Sequence, residues 1–270
     1  MERTYTTSEL AGIIGIHPNT VRLYEELHLI TAPERKPNGY RIFTDLHLDQ
    51  FINARLAFQV EILQNGLRRL AVDIVRATAE CDFDKAIHLS QTYCRQIETE
   101  TGHAEEAIGI VKDMLAGRDE GDGRDEGTGR DEGTGRDEGA GTLCLGRSET
   151  AAYLGITIDT LRNWELNGLL RIKRKKNGYR IYTDADIRRL KIIRSLRCAN
   201  YSLTAILRML TALSADPDTD IRAVIDAADE TVITACDNLL SSLSRAAANA
   251  DRIHHNLCRM KEKYHLNPPL

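Results

Sequence analysis

No run of about 18 apolar residues occurs in this chain of 270 residues, which excludes a membrane-spanning helix. The first ten residues, MERTYTTSEL, lack the basic and then apolar pattern of a signal peptide. Six cysteines stand singly at 81, 94, 144, 198, 236 and 258, without a CxxC, which excludes a disulfide framework and suits reduced thiols. The expected compartment is therefore the cytoplasm, with no membrane partner. Aromatic residues are few, at 5%, while a hydrophobic content of 42% is ordinary for a chain holding two cores. There is no phosphate loop, no nucleophile with its base and no cluster at metal-ligand spacing, so neither an enzyme nor a cofactor is expected.

A formal net charge of −4 looks adverse to a polyanionic partner, but it averages unlike regions. Residues 118–138 hold four Arg against nine acids, and without their −5 the remainder is +1. They belong to a low-complexity repeat in which Gly117, Gly123, Gly129 and Gly135 each begin a GRDEG copy. Nothing apolar precedes Ala140, so no burial offsets the entropy of ordering this stretch, and residues 117–141 are expected to form a flexible linker. Its acids lack the D-x-[DN]-x-[DN]-G spacing of a calcium loop. By contrast RIKRKKNGYR, residues 171–180, holds six cations and no acid. Phosphate attraction is screened beyond ~8 Å at physiological salt, so this local charge outweighs the global sum.

The sequence repeats itself on either side of the linker. Ser8-Glu9, Gly15-Ile16, Thr20, Arg22, Glu25 and Leu29 recur 140 residues later as Ser148-Glu149, Gly155-Ile156, Thr160, Arg162, Glu165 and Leu169. One deletion then shifts the offset to 139, where Asn38-Gly39-Tyr40-Arg41-Ile42 and Thr44-Asp45 recur as Asn177-Gly178-Tyr179-Arg180-Ile181 and Thr183-Asp184. In each copy Ser8 or Ser148 is expected to cap a short helix, and Gly15 or Gly155 to make a turn. A second helix follows over about 18–27 or 158–167. Asn-Gly predicts a two-residue hairpin with positive φ at both positions. Asp45 or Asp184 then caps a third helix, and a fourth follows. Helix, turn, helix and hairpin describe a winged helix-turn-helix, over residues 4–78 and again over 143–213.

In that arrangement the second helix enters the major groove of DNA and the hairpin lies along the backbone. Asn19, Thr20, Arg22, Leu23 and Tyr24 open the first such helix, and Asp159, Thr160, Arg162, Asn163 and Trp164 the second. Arg suits guanine or phosphate, and Thr and Tyr hydroxyls suit phosphate. The wings offer Arg35, Lys36, Tyr40 and Arg41, then Lys173, Arg174, Lys175, Lys176, Tyr179 and Arg180. Other readings set Tyr40 and Tyr179 as wing packing and pair Arg22 and Arg162 with neighbouring glutamates.

TVRLYEELHLI with NGYRIFT, and TLRNWELNGLL with NGYRIYT, resemble the signature of MerR-type regulators. The downstream Tyr201-Ser202-Leu203 resembles that family's fourth helix, whereas Leu63-Gln64-Asn65-Gly66 departs from it. The resemblance implies promoter DNA and RNA polymerase as partners, base or phosphate contacts from Arg22 and Arg162, and phosphate contacts from Tyr24, Tyr40, Arg41, Tyr179 and Arg180. Trp164 replaces the usual Tyr and loses a hydroxyl contact.

A long amphipathic helix follows each module, as in the family's dimerisation coil. Its apolar stripe is Tyr93, Ile97, Ala104, Ile108, Val111 and Leu115 in the first. In the second it is Ala228, Val232, Ala235, Leu239, Leu243, Ala246, Ala250, Ile253, Leu257, Met260 and Tyr264. The expected fold is mainly α, with two winged helix-turn-helix domains, each bearing a small β-hairpin wing and each followed by a long coiled-coil-like helix. The domains are 1–80, 81–116 (first long helix), 117–141 (linker), 142–215 and 216–270 (second long helix). The family's helices pair antiparallel, and a Gly-rich linker spanning about 25–30 Å lets one chain form the pair as an intrachain pseudo-dimer. A homodimer with four modules is the alternative. No metal is expected, although antiparallel pairing would bring Cys81 towards His254, His255 and Cys258. The function read from the sequence is sequence-specific, nucleoid-associated transcription regulation at a pseudo-palindromic promoter. A DNA-architectural or excisionase-like protein is the alternative.

Overall fold

The computed structural model describes residues 3–59, 64–115, 144–172, 179–214 and 232–265. The expected linker lies outside them. Among the described residues are ten helices and a three-stranded antiparallel sheet, a mainly α chain. None of these helices is long and apolar enough to cross a membrane. Contacts divide the chain into two units, Met1–Thr101 with Ser241–Leu270, and Gly102–Leu240.

In the first unit β1 (Thr4–Tyr5) and β2 (Glu34–Arg35) flank β3 (Arg41–Thr44), with Tyr5 opposite Phe43 and Arg35 opposite Arg41. The side-chain period of two turns Phe43 inward to full burial. Helix α1 (Thr7–Ile14) buries Leu10 and Ala11, and α2 (Pro18–Glu26) buries Val21. Gly15 joins them at φ 73°. These side chains meet Phe51 of α3 (Asp45–Phe58) in one core, where each fully buried Leu or Phe contributes ~1.5–3 kcal/mol. Helix α4 (Leu67–Ala79) packs on α3. Buried Gln50 ties the loop after α2 to α4: its amide nitrogen donates to Thr31 Oγ1 at 2.8 Å and Thr78 O at 2.9 Å, and its oxygen accepts from Thr31 N at 2.9 Å.

Two long helices complete this unit, α5 (Phe83–Leu115) through Thr101 and α10 (Val232–His265) from Ser241. Here they run antiparallel: the Phe83 and Tyr264 rings stack 6.4 Å apart, and Ser90 Oγ lies 2.8 Å from His254 Nδ1. Asn249 and Asn256 donate from α10 to Leu56 O at 3.3 Å and Asn53 Oδ1 at 3.1 Å, and Tyr264 donates to Asp49 at 2.7 Å.

The second unit repeats the plan. Leu145 pairs with Tyr182 where the first copy pairs Tyr5 with Phe43. Helices α6 (Arg147–Tyr153), α7 (Ile158–Leu166), α8 (Asp184–Cys198) and α9 (Leu203–Ser214) follow. The core joins Leu161, Trp164, Tyr182, Leu190 and Ile193 to Ala107, Ile108 and Val111 of α5 and Ala235 of α10. Lys191 pairs with Glu106 at 2.6 Å. Of the two expected apolar stripes, every side chain that the structure describes is buried; Ala228 lies outside the described residues, and the side chains of Leu115 and Val232 are not described.

Three local expectations are corrected. Helix α1 is capped by Thr6, two residues before Ser8, because Thr6 and Glu9 form a reciprocal box: Thr6 N donates to Glu9 at 2.7 Å and Glu9 N to Thr6 Oγ1 at 3.3 Å. Gly146 takes that place in the second copy, so Ser148 falls inside α6. Thr44 and Thr183, one residue before the expected aspartates, cap α3 and α8 with His47 and Asp186 as partners. The first wing turn has three residues: Lys36 N donates to Tyr40 O, and Gly39 N to Lys36 O, both at 2.8 Å. Among Pro37, Asn38 and Gly39 only Gly39 has positive φ, at 84°, as a three-residue hairpin loop requires.

Candidate nucleic-acid interface

Each recognition helix starts where its flanking residues fix it. His17 Nδ1 accepts from Asn19 N at 3.1 Å, and Pro18 occupies the first helical position, where its missing N–H costs nothing. In α7 Thr157 caps, accepting from Thr160 N at 3.1 Å. Burial of Val21, and of Leu161 with Trp164, turns these faces inward. Asn19, Arg22, Leu23 and Glu26 of α2 stand exposed, as do Asp159, Arg162, Asn163 and Leu166 of α7. Arg22 donates to Asn19 Oδ1 at 3.0 Å rather than pairing with a glutamate.

Of the wing residues, Tyr40 and Tyr179 are exposed at 71% and 73%, so neither ring is wing packing. Lys36 is exposed as well, and Thr20, Tyr24, Arg41, Thr160 and Arg180 are half-buried. Tyr24 stacks on Phe51 with centroids 5.2 Å apart. Lys173, Arg174, Lys175 and Lys176, with the second Asn-Gly, lie outside the described residues. Trp164 is a correction: at 3% exposure it belongs to the core of its unit and offers no surface to a ligand. An indole at the Tyr24 position has no hydroxyl to keep in water, and its apolar area is better removed from it.

Two residues that sequence reasoning left out organise both sites. Glu25 accepts from Arg35 at 2.9 Å and from Arg41, which fastens both wing strands to α2. Glu165 pairs with Arg147 at 2.9 Å and Arg180 at 2.8 Å, and accepts from the Tyr182 hydroxyl. Burial first, and then the bond to Glu165, push the Tyr182 phenol up to about 12, so it remains a donor at neutral pH. Glu25 and Glu165 recur at offset 140 just as Arg41 and Arg180 recur at 139, and this paired recurrence of opposite charges was the available signal.

Cys258 Sγ lies 3.9 Å from His254 Nε2, and Cys81, with its Sγ 3.6 Å from Thr31 Oγ1, packs against the cluster of Leu46, Phe83, Met260 and Tyr264. Among the described residues no three His, Cys, Asp or Glu side chains are grouped to hold a metal ion.

Residues 6–43 match the profile of MerR family regulatory proteins, and residues 147–213 that of MerR HTH family regulatory proteins. The chain is 33% identical over 94 residues to the HTH-type transcriptional regulator CueR of Salmonella typhi, covering 31% of this chain and 68% of that protein. It is 36% identical over 83 residues to CueR of Escherichia coli O6:H1, covering 27% and 62% respectively. With the HTH-type transcriptional regulator ZntR of Escherichia coli strain K12 the identity is 37% over 71 residues, covering 26% and 50%. The chain thus spans between 50% and 68% of these relatives' lengths. No solved structure matches it.

Proposed function

The chain belongs to the MerR family of helix-turn-helix regulatory proteins, and from that premise we propose that it is a sequence-specific DNA-binding transcription regulator whose two modules read unlike halves of a pseudo-palindromic promoter site. One observation carries the reading: in both modules an exposed recognition-helix arginine, Arg22 or Arg162, accompanies a wing fastened to the same helix by Glu25 or Glu165. The arginines grip guanine or phosphate, while Lys36, Tyr40, Tyr179 and the cations at 173–176 contact the phosphate backbone. RNA polymerase is the further partner at the promoter.

The chain acts as its own dimer through the antiparallel α5 and α10. This is supported by α5 and α10 contributing to the packing of both units. Light scattering tests it, since a particle of twice the 30.3 kDa chain mass overturns the single-chain form. For regulation itself, Arg162→Ala is expected to weaken binding to the selected site by ~5- to 150-fold, and more than to random DNA. Equal losses on both make Arg162 a phosphate contact only. Genome-wide binding at one discrete promoter supports regulation, and many dispersed sites support an architectural protein instead.

A further inference from the structure

The two recognition helices have equal length and share Thr20 with Thr160, Arg22 with Arg162 and Glu25 with Glu165, while their exposed faces differ at 19/159, 23/163 and 26/166. Arg22 and Arg162 occupy the same position on both. The next residue does not correspond: it is Leu23 on α2, 47% exposed, and Asn163 on α7, also exposed. The residue one turn further on switches with it, from Leu27, 51% exposed, to Asn167. Asn167 Nδ2 donates to Asn163 O at 2.8 Å and to Asn163 Oδ1 at 3.0 Å, which fixes the carboxamide of Asn163. The Nδ2 donor and the second lone pair of that Oδ1 remain for a base edge. The Leu23–Leu27 pair offers neither donor nor acceptor, only aliphatic surface.

We propose that Leu23 and Asn163 are specificity-determining residues that give the two half-sites different bases, a thymine recognised by its 5-methyl group under the first module and an adenine recognised at N6 and N7 under the second. The chemistry follows from the major-groove code, in which apolar side chains contact the thymine methyl and Asn pairs bidentately with adenine. Arg22 and Arg162 supply the feature that the half-sites share. The inference rests on the DNA-binding reading above.

Selection of the full-length chain against random duplexes, followed by titration of the enriched site, tests it. The wild-type chain is expected to enrich an imperfect palindrome with thymine at one position and adenine at its counterpart. Replacing that thymidine by deoxyuridine removes only the methyl and weakens wild-type binding. The same replacement leaves L23N/L27N binding unchanged. Grafted with the asparagine pair, L23N/L27N selects adenine in both halves and loses roughly 5- to 150-fold affinity for the wild-type site. The reciprocal N163L/N167L selects thymine in both, and matching thermal melts show that each variant is folded. A wild-type site symmetric at this position, or grafted variants that enrich the unaltered site, overturn this inference and leave the DNA-binding reading standing. A wild-type chain that enriches no sequence overturns both.

Discussion

A carboxylate on the helix that meets a polyanion is a repulsive charge, unless the protein uses it to hold something else. Glu25 holds Arg35 and Arg41 and so decides where the first wing lies against α2. The pairs are partly exposed, with side-chain exposures of 50% for Arg35, 21% for Arg41 and 13% for Glu25, so they add only about 1 kcal/mol to stability. Their larger effect is on recognition. Glu25→Ala releases two guanidinium groups and removes one negative charge. The expected outcome is tighter binding to random DNA together with a smaller ratio of specific to random affinity, both measurable by fluorescence anisotropy. A variant that weakens both equally contradicts the positioning role.

His47 carries a second charge-dependent effect at this scale. Burial, opposed by the nearby Thr31 backbone and the Glu25 charge, lowers its pKa from 6.5 to about 4. Its Nδ1 accepts from Thr44 N at 3.0 Å, a bond the charged ring cannot make. The unfolded chain therefore binds a proton at pH values where the folded chain does not. Stability is complete above about 6.5 and falls as pH drops towards 4, by up to about 3 kcal/mol. Urea unfolding at pH 7, 5.5 and 4.5 is expected to show this loss in the wild-type chain and a flatter profile in His47→Asn. Parallel profiles would falsify the assignment.

At the scale of the element, both recognition helices end in the same motif. Leu29 N donates to Tyr24 O at 2.8 Å and His28 N to Glu25 O at 3.0 Å; Leu169 and Gly168 make the equivalent bonds to Trp164 and Glu165 at 3.1 and 3.0 Å. The residue closing this motif must be left-handed, and it is His28 at φ 54° in one copy and Gly168 at φ 77° in the other. An L side chain there costs roughly 1–2 kcal/mol, less the entropy that glycine loses on folding. His28→Gly is therefore expected to raise stability by up to about 1 kcal/mol in denaturant titration, and a loss of stability excludes the account.

What the sequence disclosed about these elements follows from periodicity. Core stripes repeat every three or four residues whatever they pack against, so Tyr93 to Val111 and Ala235 to Tyr264 were legible as buried rows. The caps were less so, because Thr6 and Ser8, or Thr44 and Asp45, are equally good caps and only the pairing with Glu9 or His47 separates them. Asn-Gly serves loops of two residues and of three, and the choice at 38–39 went to three. The Glu25 clamp joins residues 10 and 16 positions apart, beyond the reach of any local pattern. The burial of Trp164 depends on its whole core rather than on the motif that contains it.

At the scale of the whole molecule, the first compact unit is discontinuous in the chain and the second is one stretch, Gly102–Leu240, that includes residues 117–141. The first draws on both termini and the second on the middle, so each combines residues from before and after the stretch 117–141. Chain continuity through that stretch is then unnecessary for either unit to pack, provided the α5 and α10 contacts suffice. Within the first unit the two helices bury Tyr93, Ile97, Leu243, Ala250, Ile253 and Leu257, with exposures comparable to a protein interior. A protease site placed between Gly123 and Gly135 and cut in the native protein is expected to leave two fragments that co-elute in gel filtration and separate only in denaturant. Leu257→Ala removes a buried side chain at about 2–5 kcal/mol, so in the cut protein it should promote dissociation at low concentration. Fragments that separate immediately after cleavage, without denaturant, show instead that only chain continuity holds them together, and the intrachain dimer then fails.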